Sequence, residues 1–139
     1  MRLRVIVFAL GLAVAVIPTL ALGAAEKGSV HATLSGKVEV PKGDPDGTGT
    51  AEIKITGKKV CWELKTAKIT KPNAAHIHKG KAGKAGPVVV PFGATYKAKG
   101  CTTTSMANAN AISTTPGSFY VNVHNAKYPG GAIRGQLRK

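Results

Sequence analysis

"FYVNVHN", residues 119–125, is the stretch whose reading decides the fold. Phe119, Val121 and Val123 alternate with Tyr120, Asn122 and His124. Successive side chains of a strand point to opposite sides of a sheet, so a period of two predicts a strand. The apolar set is expected in a core, with His124 turned outward. A sheet with one packed and one polar face is the antiparallel kind.

The neighbouring segments repeat this pattern. "YPGG" turns the chain, and "AIRGQL" (132–137) is expected as the closing strand. Upstream, "TTPGS" reads as a turn. "TTTSMANANAI" (102–112) is the one place for a short helix: Ser105 can cap it and its alanines favour it, while Asn108 and Asn110 oppose it. "PVVVPF" (87–92) is an apolar run bounded by prolines, which suits a short buried or edge strand. "VHATLSGKVEV" (30–40), "TAEIKI" (50–55) and "VCWELKTAKI" (60–69) are further strands. The turn cluster "PKGDPDGTG" and the tight turn "TGKK" separate them. Several short strands with turns between them predict an all-β fold, an antiparallel sandwich or barrel. Asp44 and Asp46 share one turn and lack the other ligands of a calcium loop. "GKAGKAG" lacks the spacing of a phosphate loop.

The N-terminal segment is expected to be a secretory signal peptide, residues 1–25. Arg2 and Arg4 precede an apolar run, Val5–Ile17, and small residues follow around Ala21, Gly23 and Ala25. The run is shorter than the ~20 residues of a membrane span. Residues 26–139 then form one domain without a membrane span, secreted to the extracellular space or to the periplasm and cell envelope. A chain of this size buries roughly two thirds of its unfolded surface. An oxidising compartment makes a Cys61–Cys101 disulfide the default for the two cysteines.

The charge is strongly basic. The full chain carries +14; without Arg2 and Arg4, 18 basic residues face six acidic ones. The lysines are spread over strands and turns, which is the pattern of a solvated surface. An anionic cell-envelope polymer is a candidate partner. Export, few aromatics and the lack of a binding motif argue against nucleic acid.

The residues with the most chemistry lie in "AAHIHKGKAGKAGPVVVPF" (74–92). His76 and His78 share one strand face, and Ile77 takes the other, towards the core. Such a pair can supply two metal ligands, and a third completes a copper or zinc site. His124 is the natural third, and His31 a lesser fourth. The plainer alternative is that the histidines bond loop carbonyls and fix turns. Lys79, Lys81 and Lys84 oppose a divalent cation and favour an anion at the same place. Trp62 reads as core.

Taken together, residues 74–92 and "FYVNVHNAKYPGGAIRGQL" (119–137) resemble the CHRD domain, a module named from the animal protein chordin and widespread in secreted bacterial proteins. "LSGKVEVPKGDPDGTGTAEIKI" and "VCWELKTAKI" are similar to that family too, so the resemblance runs from about Val30 to Leu137. It implies a Greek-key β-sandwich or barrel similar to that of copper/zinc superoxide dismutases. There a His-x-His pair and a later histidine ligate copper, which His76, His78 and His124 match in kind. "GGAIRGQL" resembles the segment carrying the dismutase's active-site arginine, here Arg134. The bridging histidine and the zinc-binding cluster of that enzyme are missing, and the family brings no general catalytic activity. The expectation is therefore a secreted binding or structural module without catalysis. Its candidate site is His76, His78 and His124, with Arg134, Asn122 and Lys79 around it for an anion or for support. A copper-binding protein for storage, delivery or protection is the alternative, and a copper-only dismutase ranks below both.

Overall fold

The computed structural model describes residues 27–139. The expected signal peptide lies outside the described residues. Eight strands form one antiparallel sheet: β1 (Lys27–Ser35), β2 (Thr48–Thr56), β3 (Lys59–Ala67), β4 (Pro72–Lys79), β5 (Val88–Pro91), β6 (Lys99–Thr103), β7 (Phe119–Asn125) and β8 (Ile133–Gln136). Their order is β5-β4-β7-β8-β1-β2-β3-β6.

The sheet curls until its two end strands meet. Across that seam Thr104 Oγ1 and Asn108 Nδ2 both donate to the Val89 carbonyl, at 3.3 and 3.4 Å. Side chains thus finish a barrel that the ladder leaves open. Around the barrel β4, β5 and β6 follow one another, and β3 lies beside β6. This is a Greek-key arrangement. The β2–β3 hairpin turns at Gly57, whose φ of 57° suits a residue without a Cβ.

The alternating positions supply the core. Val30, Ala32 and Leu34 of β1, Ile53 and Ile55 of β2, and Val60, Trp62 and Leu64 of β3 are buried. Ile77, Val121 and Val123 complete the opposite wall. Trp62 stacks on Phe92 with ring centres 4.4 Å apart. The expected disulfide is present: Cys61 and Cys101 face each other across β3 and β6. It closes a separation of 40 residues, worth about 4 kcal/mol on the chain-entropy model.

Three expectations need correction. The first strand ends at Ser35, where a 3-10 turn at Gly36–Val38 begins, rather than at Val40. Gly36 explains the break, because a Cβ there would collide with the Asp44 carbonyl. The helix lies where its Ser105 cap puts it, over Met106–Thr114 (α1), with Ser105 accepting from the Asn108 N–H. Residues 99–103 ahead of it form strand β6, a strand that the sequence reading missed. Finally, the polar face of β7 is not open to solvent: Tyr120 and Asn122 are each 2 % exposed. The loop between β4 and β5, and the chain around Glu39, lie over it.

Candidate metal centre

Register brings the histidines together. Strand β4 pairs with β7 so that His78 faces Tyr120, His76 faces Asn122 and Ala74 faces His124. His76 and His124 are therefore diagonal neighbours on one face, within reach of each other. His76 Nδ1 lies 3.2 Å from His124 Nε2. One nitrogen from each of His76, His78 and His124 falls within 4.8 Å of the other two. The structure thus brings His124 beside the His76–His78 pair.

Backbone carbonyls fix two of the rings. His78 Nδ1 lies 2.8 Å from the Gly86 carbonyl, and His124 Nδ1 lies 3.0 Å from the Pro129 carbonyl. A carbonyl only accepts, so the His78 Nδ1 carries the proton and the neutral ring keeps its lone pair on Nε2. That atom is shielded from solvent and has no hydrogen-bond partner. His124 has an acceptor at each nitrogen, the Pro129 carbonyl at Nδ1 and Asn122 Oδ1 at 2.9 Å from Nε2, so its single proton serves one of them. A buried, unpartnered lone pair costs free energy, and metal ligation is one way to satisfy it. Histidine metal ligands characteristically donate their second N–H to a carbonyl or carboxylate. His76 differs: its Nδ1 can donate to His124 Nε2, and a shift of its proton to Nε2 would free the third lone pair.

Electrostatics keep the rings neutral. Burial, with His124 and His78 close by, lowers the His76 pKa to about 4. Burial also lowers His78, helped by the Arg134 charge and opposed by the bond to the Gly86 carbonyl and by the neighbouring Asn122 amide. His124 is lowered by burial and by His78, against its bond to Pro129. Protons therefore compete weakly with a metal at neutral pH.

A supporting layer lies behind the histidines. The Tyr120 ring stacks on His78 with centres 4.9 Å apart, and its hydroxyl accepts from the Gly86 N–H. Arg134 caps the Tyr120 ring at 3.6 Å and donates to the Lys84 carbonyl. Its other amino group lies 3.6 Å from Glu39 Oε1. Arg134 and Glu39 are 2 % and 4 % exposed, so this ion pair is buried. Burial pushes the Glu39 carboxyl up, against the Val40 N–H bond and the Arg134 charge. Glu39 and Tyr120 are members of this layer to which the sequence reading gave no role; for Glu39, an acid alternating with valines in "KVEV" was the available signal.

The loop over the site is shaped by glycine. Gly83 has φ of 73°, and a Cβ on Gly86 would overlap the Lys79 carbonyl. Gly80 is held by its N–H to Ser118 and by Gln136 Nε2, which donates to its carbonyl.

The remaining candidates divide. Asn122 Oδ1 sits 2.9 Å from His124 Nε2, at the centre. Arg134 is in the supporting layer, buried rather than presented to a solution anion. Lys79 ends β4 with its side chain exposed. His31 is apart from the cluster: it pairs with Arg138, whose Nε donates to its Nε2 at 3.0 Å. Asp44 behaves as a turn residue, accepting from the Asp46 N–H.

Comparison with known proteins places the chain in a family. Residues 30–137 match the model of the CHRD domain, and the chain belongs to that family. No curated protein and no solved structure matches it. Among the described residues no helix is long and apolar enough to cross a membrane.

Proposed function

We propose that this CHRD-domain chain is an exported binding module whose ligand is a copper ion, held by His76, His78 and His124 for storage, delivery or protection. The observation that carries the reading is the convergence of three imidazole nitrogens within 4.8 Å, one of them buried and without a partner. The turn-fixing role weighed against it uses the Nδ1 atoms of His78 and His124, and contacts with His76 and Asn122 engage His124 Nε2. It leaves the buried His78 Nε2 without a partner. Imidazole donors suit copper and zinc alike, and copper binds the more tightly of the two at a given site.

Export is part of the same proposal. It is supported by the N-terminal sequence pattern and by a disulfide suited to an oxidising compartment. The likeness to copper/zinc dismutases rests on the His-x-His pair, the later histidine and the Greek-key order. Turnover of superoxide is not proposed. Arg134 is tied to Glu39, Lys84 and Tyr120, and the fourth histidine, His31, is bound to Arg138.

The test is copper titration of the exported protein without a histidine tag. One equivalent should bind at neutral pH, and the His76→Ala/His78→Ala variant should lose at least about 100-fold in affinity while remaining folded. Equal affinity of the two proteins would sink the proposal.

A further inference from the structure

We infer that the His76–His78–His124 site selects the cuprous over the cupric ion. This rests on the copper reading of the same site and names the species that it takes. The donors, the surrounding charge and the shielding of the site carry the inference.

The donor set is electrically neutral. Among the described residues the cluster holds three histidines and no cysteine or carboxylate. The buried carboxylate of this region, Glu39, is committed to Arg134 and to the Val40 N–H. A cupric ion here would bring two positive charges to a site with no anionic ligand.

The surroundings add positive charge. Arg134 stands behind the Tyr120 ring that stacks on His78, with its charge offset by Glu39, so the net positive charge comes from lysines. Lys79 follows His78 by one residue, and Lys81 and Lys84 lie on the loop whose Gly86 carbonyl accepts from His78. Repulsion by these groups scales with the charge on the ion, so it falls twice as heavily on the cupric state.

Shielding works in the same direction. His78 Nε2 is out of contact with solvent, and all three rings are partly buried. The cost of moving an ion from water to a less polar medium grows with the square of its charge, so it is roughly four times larger for a divalent ion. Imidazole nitrogen accepts both oxidation states. The choice between them therefore falls to charge and solvation, and both favour the lower charge.

The test uses the untagged protein at neutral pH. Cuprous affinity is read by competition with bicinchoninate under reducing conditions, and cupric affinity by competition with nitrilotriacetate. The wild type should bind cuprous ion more tightly, with a bound-copper reduction potential above that of aqueous copper. Lys81→Glu/Lys84→Glu, two changes on the exposed loop, should lower the ratio of cuprous to cupric affinity by about threefold to tenfold. Tighter cupric binding by the wild type, or a ratio that the charge reversal leaves unchanged, overturns cuprous selectivity while the copper site stands. Failure to bind either ion overturns the copper site and the selectivity together.

Discussion

The two faces of the β4–β7 pair share one backbone and carry opposite chemistry. Inward, Ala75, Ile77, Val121 and Val123 are buried in the barrel core. Outward, His76, His78, Tyr120, Asn122 and His124 form a polar layer that is itself largely covered. The inner face follows the common rule, since burying apolar area stabilises the fold. The outer face departs from it. Glu39 Oε2, Arg134 Nη1 and His78 Nε2 are buried there without hydrogen-bond partners. A protein that needed only stability would fill this layer with apolar side chains, because a buried ion pair often contributes less than a hydrophobic replacement. The difference teaches where to look for function: the face that costs stability is the one bearing the three histidines.

Mutations can break this comparison. The largest stability loss is expected from Arg134→Ala, which leaves Glu39 buried without its counter-charge. Unfolding by urea should show a loss of about 3–5 kcal/mol. The double variant Glu39→Gln/Arg134→Met should recover much of it; a double variant as unstable as the single would contradict the assignment of the loss to an uncompensated charge. Ile77→Ala, on the inner face between the two histidines, should cost about 3 kcal/mol through an unfilled cavity. Urea unfolding of that variant checks the figure, and a change under about 1 kcal/mol would show the wall to be softer than its packing implies.

A smaller effect separates the faces by pH. The folded histidines of the outer face bind protons less readily than their unfolded counterparts. The unfolded chain therefore takes up protons first as the pH falls. In the metal-free protein the stability that this group governs is full above about pH 6.5. It declines as the pH drops towards the folded values, about 4 for His76. Thermal melting across that range should show the fall, and replacing His76 by Ala should flatten it. A melting temperature independent of pH between 4 and 6.5 would mean that the rings are more solvated than their burial indicates.

Much of the inner face was legible in the sequence. Period-two alternation in "FYVNVHN" and "TAEIKI" gave strands and core positions directly, because each side chain's direction follows from the backbone. The shared orientation of His76 and His78 followed from the same rule. Their convergence with His124 did not, because it depends on strand register. That is set by pairing between residues 48 positions apart for His76 and His124. Strand β6 was missed because Lys99–Thr103 is a short barrel-edge segment with no buried residue to mark a period. The covered outer face was missed for a related reason. Alternation says which way Asn122 and Tyr120 point, but not that a glycine-rich loop and the Glu39 segment close over them.

Comparing copper binding by His124→Ala and His31→Ala, both untagged, tests the central claim most directly. His124 joins the site only through the β4–β7 register, whereas His31 is bound to Arg138 away from it. The account predicts that His124→Ala loses at least about tenfold in affinity and that His31→Ala binds like the wild type. Undiminished binding by His124→Ala, or an equal loss in both variants, would contradict it.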